Sequence, residues 1–359
     1  MSNLRKTLRE PAKALAFPLL LFAASRGCHF VLALTSPIFG AAIGADEALS
    51  PAFQAAHPVW ARLAHGEIAN YARVARTGYR ALADVAYFPL LPWLGEGLGA
   101  ILGSLELGLL LGSQIFCALA FVGLYRLGEE LRDVATARWS VGLLAAFPLS
   151  YHLSDGSALS ALVAFSLWGV LLASRGRRLA SAIVLSLGVL AHPACVLAAL
   201  ATAWPPRAAK ARIAAGWSRL VALLPVAALA AVLGLLAWRV QATAAGLWAA
   251  FVPSAPPPIG DDGWAMMAVF GGLLAAGALS LARTRAWRVL ALVGAAELAF
   301  ALGPRATVAA YAMAACWPAF LAGGDLLARR QALRGPAVAM LAVQQGLLLY
   351  CFTHFLRQA

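Results

Sequence analysis

Charged side chains are scarce in this chain, and acidic ones are the scarcest. Charged residues fill only 12% of the 359 positions, with 15 Asp and Glu against 28 Lys and Arg. So few charges cannot cover the surface of a soluble protein of this length, which excludes an ordinary soluble enzyme. The basic residues form short clusters between apolar runs and no continuous stripe, so the net charge of +13 does not indicate nucleic-acid binding.

Patterns that hold metals or form disulfides are also missing. The five cysteines lie in or near apolar segments without metal-ligand spacing, and we expect free buried thiols. The histidines form no i, i+4 pair. A nucleotide-sugar enzyme would be expected to carry a metal-binding D-x-D motif, but Asp261 and Asp262 are adjacent. The sequence therefore predicts no metal and no other cofactor.

Most of the chain is hydrophobic. Hydrophobic residues make up 62% of the chain, and the mean hydropathy is +0.80. About eleven apolar stretches predict an all-α polytopic integral membrane protein, with one transmembrane domain over residues 1–359. The predicted spans are 14–37, 103–125, 135–152, 157–174, 179–191, 193–204, 217–238, 263–282, 287–303, 306–327 and 336–355.

The basic clusters predict how the chain lies in the membrane. If the N-terminus is cytoplasmic, most Lys and Arg fall in inside loops and the C-terminus lies outside. This orientation requires residues 179–204 to form two short spans, because a single helix would place the Arg207 cluster on the outer side of the membrane. A break at His192-Pro193 provides them, since proline disfavours helix before it. The Ala-, Leu- and Arg-rich composition suggests a bacterial protein of the plasma (inner) membrane.

The predicted outer face holds eight of the 15 acidic residues and two long loops, 38–102 and 239–262. Within the first, residues 59–80 fit an interfacial amphipathic helix whose apolar side carries Glu67. A carboxylate there needs a partner or a wet cavity, and desolvation would raise its pKa and make it a better proton acceptor. Alternatively, Glu67 pairs with His65 or an arginine, or the helix breaks at Gly66. Residues 83–102 fit a second surface helix, with Asp84 just before its start as a plain N-cap.

The first loop also carries a family resemblance. The string from Glu67 to Pro92, with YARVARTGY and then YFPLLP, resembles the PIG-V type of GPI mannosyltransferases and their bacterial relatives. Glu67 falls where that family has an aspartate, and Gly66 replaces its tryptophan. Looser matches are Ser154-Asp155, Ala191-His192-Pro193 and Gly303-Pro304-Arg305.

The resemblance implies a GT-C glycosyltransferase. Such an enzyme transfers a sugar, mannose in that family, from a polyprenyl-phosphate donor, with inversion and without a metal. The partners would be membrane lipid, the lipid-linked sugar and an acceptor glycan, lipid or protein on the extracytoplasmic side. Glu67 would be the general base, with Asp84 and Asp155 as second choices. The donor-phosphate candidates are Arg73, Arg76, His192 and Arg305, and the pocket candidates are Tyr71, Tyr79, Phe88 and His152.

Other functions stay open at this stage. The departures at Gly66 and His192 also fit a catalytically inactive GT-C-like scaffold or subunit. A transporter or flippase for a lipid-linked substrate would show paired broken helices in inverted repeats, of which the sequence offers one, at His192. Each arginine can alternatively snorkel to lipid headgroups. Arg26 and Glu297 are charged residues inside predicted spans and could pair with each other.

Overall fold

The predicted all-α class is confirmed by the part of the chain that the structure describes. The computed structural model describes residues 2–39, 49–64, 67–203, 221–243, 245–247, 271–272, 274–277, 280–281, 288–301 and 313–353, and no strand occurs among them. The helices are α1 Ser2–Phe39, α2 Pro51–Ala56, α3 Pro58–Ala61, α4 Glu67–Thr77, α5 Leu90–Leu102, α6 Leu105–Leu131, α7 Val134–Ala146, α8 Leu159–Ser174, α9 Arg178–Val189, α10 Cys195–Ala203, α11 Leu224–Arg239, α12 Arg288–Ala301, α13 Trp317–Arg329 and α14 Arg334–Thr353. Short 3₁₀ helices lie at Leu82–Ala86, Ser150–Ser154, Met313–Ala315 and Gln331–Leu333.

Three of the described helical segments are long and apolar enough to cross a membrane. They are Leu15–Ile38, Leu105–Leu131 and Gln331–Cys351, while α5, α7, α8, α9 and α11 are apolar but shorter. A bilayer core of about 30 Å needs roughly 20 helical residues, so these three fit by length alone. The chain is a membrane protein, and the count of eleven spans stays a prediction. Most of the predicted span 263–282 and of the second external loop lies outside the described residues.

The predicted break in the 179–204 segment is confirmed. Helix α9 ends at Val189 and α10 begins at Cys195, and the two helices contact each other and α8. The His192 ring accepts a hydrogen bond from the Ala194 backbone N–H at 3.2 Å and so caps the turn. Proline at 193 removes the next donor, which explains why one continuous helix does not form.

The cysteines follow the expected pattern in part. All five are free, and Cys117, Cys195 and Cys316 are buried. Cys28 is exposed, and Cys351 is only partly covered. The burial of these two was therefore overestimated, because hydropathy does not tell a face that meets lipid from one that meets protein.

The centre of the bundle is helix α6, which packs against α5, α7 and α8. Glycines let α5 approach it closely. A Cβ placed on Gly108 would lie 2.4 Å from the Gly95 carbonyl oxygen and 2.5 Å from the Gly99 nitrogen. Close backbone contact of this kind is how helices associate in a membrane, where hydrophobic driving force is absent. It anchors the end of the first loop to the bundle.

We expect Gly108→Ala to destabilise the protein by about 1–3 kcal/mol, because the methyl group meets backbone atoms that cannot move aside. Gly97→Ala on α5 is the matched control, since a Cβ there meets nothing within 4 Å. The measurement is thermal unfolding of both variants in detergent. Equal melting temperatures for the two variants would contradict the packing.

Candidate functional site

The first loop begins with two short helices where one long helix was predicted. Helix α3 ends at Ala61, residues 62–64 are not helical, and α4 begins at Glu67. The single interfacial helix over 59–80 was therefore wrong, and a break near Gly66, one of the alternatives, fits better. The segment 83–102 likewise divides into the 3₁₀ helix Leu82–Ala86 and helix α5.

Helix α4 packs directly on the loop that follows α7. Its buried face consists of Ile68, Tyr71, Ala72 and Val74. Gly156 in that loop has φ +90, and a Cβ there would lie 2.5 Å from Ile68 Cδ1. Glycine is needed here both for the positive φ and for the close approach of the helix. The contact joins residues far apart in sequence.

Two of the predicted acids come together around Tyr71. Glu67 is half-buried at the first position of α4, one turn before Tyr71, and Asp155 lies on the facing loop. Burial raises the pKa of the Tyr71 phenol well above its usual range, and the nearby charges of Glu67 and Asp155 raise it further. Tyr71 thus keeps a neutral hydroxyl at neutral pH, and its ring packs edge-to-face against Tyr87 with the centroids 5.1 Å apart. A hydroxyl placed so can orient a substrate or a carboxylate.

Asp155 forms a pair with a predicted pocket residue, His152. The His152 Nδ1 lies 2.8 Å from Asp155 Oδ2, and the two side chains are 12% and 6% exposed. The other carboxylate oxygen accepts from the Ser157 backbone N–H at 2.9 Å. With the Nδ1 proton facing the carboxylate, the lone pair of a neutral imidazole sits on Nε2. The pair can therefore accept or relay a proton.

Asp84 has a different environment. Its carboxylate is fully buried, is ion-paired to Arg73, and accepts from the backbone N–H groups of Arg80 and Ala81, both at 2.8 Å. Burial pushes the pKa of Asp84 up, but the Ala81 N–H, the Arg73 guanidinium and the Arg80 N–H outweigh it and lower the pKa. An acid held this firmly in the charged form is a structural anchor for the 78–84 turn and a poor proton acceptor.

A second ion pair involves a residue that sequence reasoning missed. Arg76 binds Glu106, which is buried in the first turn of α6 and also accepts from Ser104 Oγ at 3.2 Å. The signal was present as Ser104-x-Glu106 at the start of a long apolar helix. A carboxylate at that position is favoured by the helix dipole and, once buried, requires a cation. Arg73 and Arg76 therefore tie α4 to the 78–84 turn and to α6.

The other predicted residues are placed as follows. The Tyr79 hydroxyl donates to the Tyr87 carbonyl at 2.6 Å, and burial followed by the charge of Asp84 raises its pKa. Phe88 is fully buried in the main core. His192 caps the α9–α10 turn, away from α4 in sequence, and Arg305 lies outside the described residues.

Comparisons with known proteins identify the fold. No family model matches the chain, and no curated protein matches it. The apo crystal structure of the Archaeoglobus fulgidus oligosaccharyltransferase is similar to this chain, with a TM-score of 0.50 and 15% identity over 96% of this chain and 55% of that one. The same enzyme in complex with Zn and sulfate gives a TM-score of 0.45 and 14% identity over 96% and 52%.

The chain spans about half the length of these solved structures. Its fold resembles that of the archaeal oligosaccharyltransferase. Membership of the GT-C class and of the PIG-V type stays a prediction.

The Asp84 anchor gives a pH-dependent prediction. Because the folded-state pKa lies below the usual value of about 3.9, the carboxylate stabilises the fold above roughly pH 4. That contribution disappears as pH falls through the lowered pKa. We expect Asp84→Asn to cost about 1–3 kcal/mol at pH 7 and to flatten the loss of stability between about pH 5 and 3.

The measurement is the unfolding temperature in detergent across that pH range. Glu96→Gln, an exposed acid on α5, is the control and should follow the wild type. If the unfolding temperature of Asp84→Asn varies with pH as that of the wild type does, the Asp84 carboxylate does not stabilise the fold.

Proposed function

We propose that this protein is a GT-C glycosyltransferase that moves a sugar from a polyprenyl-phosphate donor to an acceptor hydroxyl on the extracytoplasmic side. The observation that carries the proposal is the close packing of α4, which holds Glu67 and Tyr71, against the loop that holds the His152–Asp155 pair. It occurs in a chain whose fold resembles an oligosaccharyltransferase. Transfer of mannose, inversion at the sugar carbon and independence from metal all belong to this proposal.

Glu67 is the proposed general base. The side chains of Asp84, Glu106 and Asp155 are almost fully buried. Glu67 is the half-buried carboxylate of this group, so a substrate can reach it. When the acceptor oxygen bonds to the sugar carbon, its proton passes to the Glu67 carboxylate while the bond from that carbon to the phosphate oxygen breaks. As in inverting hydrolysis, base and leaving group occupy opposite faces of the sugar.

Asp155 and His152 have a supporting role in the proposal. Their hydrogen bond fixes the imidazole, and Tyr151 stacks on the His152 ring at 4.3 Å. The pair can position the acceptor or receive the proton from Glu67 afterwards. Arg73 and Arg76 are about half-exposed despite their ion pairs, with 44% and 47% of each side chain accessible. They add positive potential at the outer face, which favours an anionic donor.

Replacing Glu67 by glutamine tests the base. We expect Glu67→Gln to lower the rate of sugar transfer by about 10²–10⁴-fold, because the amide cannot take up the acceptor proton. Glu96→Gln removes the same charge from the same loop and should leave the rate unchanged. The measurement is transfer of radiolabelled mannose from a polyprenyl-phosphate donor by purified protein in lipid vesicles.

The outcome of this transfer assay distinguishes the enzyme from the other candidate functions. Transfer by Glu67→Gln at the wild-type rate would remove Glu67 as the base. No transfer by the wild type, together with movement of the lipid-linked sugar between leaflets, would replace the enzyme with a flippase. No covalent product and no movement would favour the inactive scaffold.

A further inference from the structure

A cavity separate from the Glu67 cluster contains a buried cation that forms no ion pair with any described residue. The cavity measures about 380 Å³ and lies between α1, α3, α6, the 3₁₀ helix Ser150–Ser154 and α14. Arg26 lines it from near the middle of the span Leu15–Ile38 and is only 8% exposed. A charged residue at this depth is costly and marks a functional site by default.

The partners of Arg26 are all neutral. Its guanidinium donates to the Ser150 carbonyl at 2.8 Å, to Ser154 Oγ at 2.9 Å, to Ser150 Oγ at 3.2 Å and to Ser25 Oγ at 3.3 Å. Four of its five N–H groups are used in this way, and one on Nη2 remains. The Phe121 ring at 5.7 Å adds a weak cation–π contact. None of these groups supplies a negative charge, and no carboxylate within the described residues pairs with Arg26.

A second polar group beside Arg26 is poorly satisfied. His29 lines the same cavity one helical turn further on, is 5% exposed, and neither ring nitrogen makes a hydrogen bond of good geometry among the described residues. Its side chain interacts with that of Gln345, whose amide hydrogens go to the Phe147 carbonyl and Ser150 Oγ. A buried polar group that is poorly hydrogen-bonded costs free energy that a ligand can recover.

Apart from Gln114 and Tyr151, the remainder of the wall is apolar, and it reaches the protein surface. Phe30 and Trp60 pack with their ring centroids 5.3 Å apart and are 37% and 38% exposed, so they form the outer rim. A ligand that suits this site carries an anionic head for Arg26 and an apolar chain that passes over the two rings into the lipid.

We propose that this cavity binds the phosphate end of a polyprenyl phosphate, with Arg26 as the cation for the phosphate. The choice of a lipid-linked phosphate rests on the proposed function. The Ser150–Ser154 segment connects the two sites, because Ser154 faces Arg26 and the next residue, Asp155, belongs to the acidic cluster. A donor held by Arg26 would therefore have its phosphate on one side of this segment and the acids on the other.

Gly27 offers a way to block the cavity without touching the cation. It lines the cavity, and a Cβ built on it meets nothing within 4 Å, so the backbone there can carry a side chain and we expect Gly27→Leu to narrow the space. Gly234→Leu on α11 is the matched control, because Gly234 is equally open and does not line the cavity. Arg26→Gln removes the charge directly, with Arg175→Gln as its control at an exposed ion pair.

The experiment measures binding of geranylgeranyl phosphate to the purified full-length chain in nanodiscs, with no sugar present. We expect Gly27→Leu and Arg26→Gln to weaken binding about tenfold or more, and both controls to bind as the wild type does. Geranylgeraniol and inorganic phosphate should each bind far more weakly than the lipid phosphate. If Arg26→Gln fails to fold, Gly27→Leu alone decides.

Several results would overturn the proposal. Wild-type affinity in a folded Gly27→Leu protein would place the lipid elsewhere. If geranylgeraniol binds as tightly as geranylgeranyl phosphate, Arg26 does not contribute to binding. If inorganic phosphate binds as tightly as the lipid phosphate, the apolar wall does not contribute. A chain that binds in this cavity but never transfers sugar contradicts the proposed function alone. If the protein transfers sugar but Gly27→Leu leaves its binding of the lipid phosphate unchanged, only the assignment of this cavity is contradicted.

Discussion

Helix α4 is held against the bundle by buried charge, and the arrangement of the candidate site depends on that attachment. Arg73 and Arg76 lie on the same amphipathic helix and bind two carboxylates that are almost fully covered. Each carboxylate would be costly to bury alone, so the pairs specify one position of the helix more than they add stability. Ile68 then fits against Gly156, and Glu67 and Tyr71 come to face Asp155.

This attachment divides the acidic residues of the outer face into two kinds. Asp84 and Glu106 accept hydrogen bonds from arginines and from neighbouring backbone or hydroxyl groups, which holds them charged. Asp155 pairs with a histidine, and Glu67 lies one turn before a buried phenol on α4. The first kind secures the loop, and the second is suited to moving a proton. Both kinds of acid look alike in the sequence, where each is an Asp or Glu near an Arg.

The sequence predicted the parts of this structure that depend on local pattern. Apolar periodicity identified the helices, and proline at 193 identified the break between α9 and α10. The sequence predicted one helix over 59–80 because the apolar residues keep a helical spacing through Gly66. Spacing of this kind does not reveal where a helix breaks. The ion pairs of Arg73 and Arg76 were not predicted, because their partners lie 11 and 30 residues away in the sequence and only the fold brings them together. Glu106 was missed for the same reason.

Arg26 illustrates the opposite case. A charged residue in the middle of an apolar run is visible in the sequence, and its importance could be anticipated. Its suggested partner, Glu297, has a side chain outside the described part of the structure, and Arg26 binds serines of the Ser150–Ser154 segment. Which groups surround such a cation is decided by packing between helices far apart in the chain.

The most direct test of the α4 attachment is a disulfide between Ile68→Cys and Gly156→Cys in membranes. A Cβ on Gly156 lies 3.2 Å from the Ile68 Cβ, close to the usual range for a disulfide of about 3.5–4.5 Å. Mild oxidation should link the two cysteines rapidly, with the joined peptides found by mass spectrometry, whereas Ile68→Cys with Gly97→Cys should not link. A folded Ile68→Cys/Gly156→Cys protein that stays reduced would show that α4 does not lie on this loop, and the candidate site would not exist.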